Sequence, residues 1–284
     1  MRRLTRGLLA CAAAAAPLRA QHVRTLESSR LLRDSAPVAV RLQLGTGTLS
    51  LGASDAPYLY RSITRFSDAF SPPASAWNAA QRTLTLTAGA RHLIQTASTS
   101  TDDHDASVQD WRVQLTRRAP LQLSIDATAA KASLDLTGLP LRRFALNTGA
   151  AAATVRFDAP NPESMTTFDA SVGAGGLQLI GLGNAGASEA RIIGGFGDLS
   201  LDLGGRWQRD MQIAVTSSIG GITIVAPPTI GIELDVGGVL KRADVTGEFN
   251  RTGSRWRSAN YEASAIKVQI FVKSVIGKLE LIQR

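Results

Sequence analysis

Cysteine is nearly missing from this chain: Cys11 is the single one among 284 residues. It lies in an N-terminal stretch built like a secretion signal. Arg2, Arg3 and Arg6 form a basic start, Leu8 to Pro17 an apolar run, and Ala20 a small residue at the expected cleavage point. Cleavage after Ala20 leaves a mature chain without a thiol, which excludes disulfides, thiolate catalysis and cysteine metal sites. Leu8-Leu-Ala-Cys11 also has the outline of a lipoprotein box. The apolar stretch before Cys11 runs only from Gly7 to Ala10, so lipid attachment there is the lesser reading.

Other absences narrow the field further. After the signal no segment approaches ~18 uninterrupted apolar residues, so no later membrane span is expected. Aromatic residues make up only 5%, while glycines number 26. That balance suits short strands and tight turns better than a large helical core. A strong excess of one charge is missing too. The net +8 includes Arg2, Arg3, Arg6 and Arg19; the mature chain carries 27 basic against 23 acidic residues, or +4. Such a balance gives no case for nucleic acid as a partner.

What is there is a recurring phrase of strand, small-residue turn, strand. It runs through 144–157, 168–180, 192–203, 213–224 and 270–281. The first residue after each turn is Ala153, Leu177, Leu199, Ile222 and Leu279, giving steps of 24, 22, 23 and then 57. A near-constant step of this size marks a repeat array. The strands are short, and the connections too short for the helical crossovers of βαβ units. The chain therefore reads as an all-β, single-layer β-solenoid, each coil laid ~4.8 Å from the last with apolar residues turned inward. The long last step implies an insertion between Pro227 and Lys267, able to bend over the open end as a cap. The segments 266–272 and 279–282 would then form the final coil.

Upstream, Val38 to Leu44 alternates as a half-buried strand, and Tyr58 to Phe66, Arg82 to Thr87 and Trp111 to Leu115 are further strands. The resulting division is a signal peptide at 1–20, a linker at 21–36, a β-rich N-terminal domain at 37–118 and the solenoid at 119–284.

Several motifs in the repeats resemble a known family. Leu134-Asp-Leu-Thr-Gly-Leu-Pro-Leu-Arg-Arg143, Asn147-Thr-Gly-Ala150 and Pro160-Asn-Pro162 come first. Gly181-Leu-Gly-Asn-Ala185, Gly194-Gly-Phe-Gly197 and Leu201-Asp-Leu-Gly-Gly-Arg-Trp207, followed by Asp210, complete the series. In this order they resemble the toast-rack domain of LiaF-like bacterial cell-envelope-stress proteins, over about 119–284. Residues 36–116 look like its N-terminal companion domain. The resemblance implies a right-handed single-stranded β-helix preceded by a smaller β-rich region. It implies no catalytic residues.

The remaining constellations are weighed by geometry. Gly181-Leu-Gly-Asn-Ala-Gly186 is a literal dinucleotide fingerprint, but no helix of useful length follows it, so a solenoid turn explains it better. Ser264-Ala-Ile-Lys267 matches S-x-x-K, yet a strand spacing of three turns Ser and Lys to opposite faces. Asp102-Asp-His-Asp105 reads as a solvated acidic loop, and His92 and His104 lack triad partners. No metal and no cofactor is expected. Arg206, Trp207 and Arg209, and Arg255, Trp256 and Arg257 with Tyr261 nearby, are the candidate interaction surface. An indole between arginines suits sugar or anionic-polymer contact, but packing of the indole at the solenoid end under arginine stems is the simpler reading.

The function expected is a non-enzymatic, exported binding or scaffold module, periplasmic or extracellular, with an envelope protein or cell-wall glycan as partner and a link to envelope stress. The alternative is a polysaccharide-active β-helix enzyme, whose groove would want paired carboxylates or a carboxylate-bound Ca²⁺ beside a basic residue; strand-borne acids such as Asp135, Asp169 and Asp202 could stack in one row, which is more simply a solvated face.

Overall fold

The structure, a computed structural model, describes residues 22–90, 108–239 and 243–284. The described residues form 21 strands in one sheet, with no α-helix and a single 3-10 turn at Leu182–Asn184. The chain is an all-β solenoid.

β1 (Val23–Leu31) occupies most of the segment expected to be linker. Its stretch is polar, but it gains a full antiparallel ladder from a neighbour, which the local pattern could not disclose. After β2 (Val38–Ser54), that neighbour is β3 (Tyr58–Ser67), pairing Glu27 with Ile63. β4 (Ala74–Asn78) and β5 (Thr83–Ala88) are antiparallel to each other, and β6 (Gln109–Thr116) is antiparallel to β3. The first half of β2 pairs in parallel with β5 and its second half with β6. On its other edge β2 pairs in parallel, from Val38 to Leu51, with β7 (Leu121–Asp135). The ladder therefore continues across residue 118 without a break.

From β7 the coils repeat as pairs of strands. They are β8 (Leu141–Thr148) with β9 (Ala153–Arg156), β10 (Met165–Ala174) with β11 (Leu177–Ile180), β12 (Ala187–Phe196) with β13 (Leu199–Asp202), and β14 (Met211–Ile219) with β15 (Ile222–Ala226). Each lies parallel to its counterpart in the next coil. Register aligns the inward residues into columns. One runs Leu123, Phe144, Phe168, Ala190, Ile213, and all five are buried. The Phe144 and Phe168 rings lie 5.0 Å apart. Each buried leucine, isoleucine or phenylalanine contributes about 1.5–3 kcal/mol relative to exposure, so stability grows with stacking and no single coil stands alone.

The end of the stack departs from the expected order. β16 (Gly231–Gly238) and β17 (Ala243–Thr246) form a regular coil of their own, with Ala243 only 21 residues after Ile222. β18 (Phe249–Thr252) and β19 (Arg255–Ser258) make a hairpin whose β19 covers the outer edge of β16. β20 (Lys267–Ile276) and β21 (Leu279–Gln283) then enter between existing coils: β20 pairs with β14 on one side and β16 on the other, and β21 with β15 and β17. The C-terminal coil is thus the penultimate layer in space. The apparent 57-residue step hides one ordinary coil, because local periodicity reports coil length and not stacking order.

A corner of the coils is held by side-chain amides. Asn161 donates from Nδ2 to the Leu141 and Ala185 carbonyls at 2.7 and 3.1 Å, and its Oδ1 accepts from Leu141 N–H at 3.0 Å. One coil on, Asn184 donates to the Phe157 carbonyl at 2.9 Å and accepts from Arg206 N–H at 2.7 Å. Both are nearly buried, at 4% and 6% exposure. They satisfy backbone groups that the turn takes away from the ladders.

Candidate functional site

Outward positions stack as regularly as inward ones. Arg143, Thr167, Glu189, Gln212, Gln269 and Glu233 each stand ten residues before the residue that opens the second strand of their coil. The ladders place them side by side in that order, with Arg257 of β19 next to Glu233. Toward the cap this polar column borders a cavity of about 340 Å³, lined among others by Glu189, Asp210, Gln212, Tyr261, Lys267 and Gln269. Asp210 accepts from the Lys267 backbone N–H at 2.8 Å, fixing the start of β20 beside the loop that precedes β14. Amides, two carboxylates, one ammonium and a phenol can together donate and accept hydrogen bonds, which suits a polar, multi-hydroxyl ligand.

Arg257 is the hub of the cap. Its Nε donates to Glu233 at 2.9 Å and its Nη1 to Glu262 at 2.9 Å. The same guanidinium stacks 4.7 Å from the Tyr261 ring centre, and Lys267 Nζ lies 5.8 Å from it. The hydrogen bond to Glu233 pushes Arg257 further above its usual range. Glu233 is only 8% exposed, so removing Arg257 would leave a buried carboxylate with Arg255 alone, 3.9 Å away.

The sequence-proposed residues divide into two places. Arg255, Trp256 and Tyr261 meet on the cap. Arg255 bonds Asp235 at 3.4 Å, and with Arg257 it lines an open groove of about 640 Å³ along the hairpin. Trp256 is 6% exposed and lies under Arg251 at 4.6 Å, so its indole serves as packing. Arg206, Trp207 and Arg209 belong to the asparagine corner. Arg206 offers its backbone N–H to Asn184, and Trp207 Nε1 donates to the Leu203 carbonyl at 2.9 Å. Arg209 bonds the Ser164 hydroxyl at 2.8 Å. Neither tryptophan lines either cavity.

The motif readings resolve in the same geometry. Gly181 has φ 72° and begins the 3-10 turn, and a Cβ on Gly183 would lie 2.5 Å from Trp207 Nε1. The fingerprint glycines serve the corner. The Ser264 hydroxyl donates to the Asn260 carbonyl at 2.9 Å, while Lys267 Nζ reaches only the Ser264 carbonyl, at 3.4 Å. Asp135, Asp169 and Asp202 do not stack in one row. Asp135 and Asp202 are separated by β9 and β11, roughly 14 Å at about 4.8 Å per coil, beyond the ~5–9.5 Å that separates glycosidase carboxylates. Asp169 lies on the other face, 3.6 Å from Arg191. Among the described residues, no group of three His, Cys, Asp or Glu side chains is placed to hold a metal ion. Cys11, His92 and the Asp102–Asp105 loop lie outside the described residues.

Sequence reasoning missed Glu189, Gln212 and Gln269, and weighed Lys267 only as part of S-x-x-K. The signal for all three was available: aligning the repeats on Leu199, Ile222 and Leu279 puts Glu189, Gln212 and Gln269 in one column.

Comparison with known proteins gives one family match and several distant structural likenesses. The family model described as the N-terminal domain of toast_rack, DUF2154, matches residues 20–180. A proposed cell adhesion protein from Clostridium sporogenes is similar at 12% identity and a TM-score of 0.43, covering 92% of this chain and 100% of that one. A proposed adhesin from Bacteroides fragilis is similar at 11% identity and a TM-score of 0.41, covering 92% of this chain and 97% of that one. No curated protein matches the sequence.

Proposed function

The chain belongs to the toast-rack family, and from that membership and the geometry of the cap we propose that it is an exported, non-enzymatic binding module of the cell envelope that grips cell-wall glycan. The observation that carries this reading is the column Glu189, Gln212, Gln269 beside Tyr261 and Lys267 at the 340 Å³ cavity. Stacked coils hold these side chains at a fixed spacing, so little conformational freedom is lost when an extended polymer docks along them. A module of this kind would report on wall integrity and so serve a response to envelope stress. The test is retention of the purified chain on isolated cell-wall glycan. Gln269→Ala with Lys267→Ala should weaken retention about tenfold, or ~1.4 kcal/mol, with an unchanged unfolding midpoint. No retention of the unaltered chain would overturn the reading.

A second observation favours an envelope protein as a further partner. Phe196, Ile219 and Ile276 share one register column on successive layers and are 61%, 41% and 59% exposed. An exposed apolar row on a rigid scaffold marks a contact surface. Cross-linking from position 219 in whole cells should capture a protein partner, and glycan alone at that position would argue against one.

A further inference from the structure

At the other end of the ladder from the cap, a cavity of about 220 Å³ opens between the end of β1, the loop into β2, and β4–β5. Its apolar lining is Leu32, Val38, Leu59 and Trp77; Val38 and Leu59 are 2% and 3% exposed. Leu31 is also part of the lining and is left 62% exposed. Arg30 stacks its guanidinium 4.6 Å from the Trp77 ring centre.

Arg82 forms another wall. Its Nη1 donates to Asp34 at 3.2 Å, its Nε to the Pro37 carbonyl at 3.2 Å and its Nη2 to the Ala36 carbonyl at 3.3 Å. Among the described residues it is the one non-glycine with positive φ, at 49°. A side chain held in that region persists only where its surroundings fix it, and such positions concentrate at binding sites. These bonds tie the 34–37 loop to β5 and keep the cavity formed.

The charge of the lining is unbalanced. Arg30, Arg33 and Arg82 face a single acid, Asp34, and Asp34 is taken by Arg82. Among the described residues, Arg30 and Arg33 form no ion pair with a carboxylate, whereas Arg24, Arg61 and Arg82 of the same region each do. Two guanidinium forks are therefore left beside an apolar floor. A guanidinium fork matches the two oxygens of a carboxylate or phosphate, and the floor matches an alkyl chain. The volume is below the usual ~300–1,000 Å³ of ligand pockets, so the alkyl part must be short or only partly enclosed.

We infer that this cavity binds a small amphiphile bearing one anionic group, with the carboxylate or phosphate on Arg30 and Arg33 and the alkyl chain on Trp77, Val38 and Leu59. The full chain, labelled at its indole nitrogens, is titrated with sodium decanoate and separately with a short-chain soluble phosphatidate. The Trp77 resonance is identified by its loss in Trp77→Phe. Either probe should shift that resonance to saturation. A stronger response to decanoate assigns a free carboxylate; a stronger response to phosphatidate assigns a lipid headgroup. Decanol, equally apolar but uncharged, should bind at least about tenfold more weakly, and Arg33→Glu should weaken the anion by a similar factor. Arg30→Gln provides a second variant with the same expected direction. The inference is overturned if neither anion moves the Trp77 resonance, if decanol binds as tightly as decanoate, or if both arginine variants bind like the unaltered chain.

Discussion

Leu279 lies in register beside Ala243, a residue that precedes it by 36 positions and yet forms the layer beyond it. On its other side Leu279 meets Ile222, so the last coil of the chain fills a gap between two coils made earlier. Ile270 stands in the same inserted layer, between Ile213 and Leu234, at 1% exposure. Ile270→Ala should cost about 2–5 kcal/mol. The loss should spread in both directions. Amide exchange should show Gly231–Val236 losing protection along with Ile270, because β20 is the only coil beneath β16 and the β18–β19 hairpin on its other edge rests on β16 itself. A cap that kept its protection while β20 lost it would contradict the insertion.

The asparagine corner gives a sharper test of packing. A methyl on Gly183 would sit 2.5 Å from Trp207 Nε1 and 2.9 Å from the Gly204 carbonyl. Gly183→Ala should therefore destabilise by about 1–3 kcal/mol, as overpacking does. Trp207→Leu removes the indole and leaves the Leu203 carbonyl without its donor. The double variant should fall short of the summed losses by about 0.5 kcal/mol or more, since the two residues compete for one space. Urea unfolding of the four proteins measures this directly. Simple additivity would mean that the corner relaxes without regard to the indole.

How far the sequence was legible differs between coil and stack. Leu199-Ser-Leu-Asp-Leu203 alternates, and Leu199, Leu201 and Leu203 are indeed buried. Such patterns reveal a strand and its inward face because period two is a local property. The place of β20 between β14 and β16 is invisible in the same way, since either neighbour offers an equally apolar partner. β1 was missed because Val23–Leu31 has little apolar alternation and depends on β3 for its ladder. At the site, the arginine-flanked Trp207 and Trp256 stand out in the sequence, but their indoles are consumed by packing. The polar column of Glu189, Gln212 and Gln269 was legible only through repeat alignment, because glutamine in a strand carries no distinctive signal by itself.

The Arg82 hydrogen bond, with a second from the Ala36 backbone, holds the Asp34 carboxyl below its ordinary value of 3.8. The Arg61 hydrogen bond does the same for Glu27, below 4.5. A carboxyl depressed in the fold stabilises it above the ordinary value, and that contribution disappears as pH falls through the lower folded value. Asp34→Asn should accordingly unfold at lower urea than the unaltered chain near neutral pH. The gap should shrink as pH is lowered through the range below 3.8 and close once Asp34 is protonated in both states. High salt should narrow it too, because Asp34 and Arg82 are exposed enough to be screened. A urea gap that stayed constant from neutral to strongly acid solution would show that the aspartate acts through packing and not through its charge.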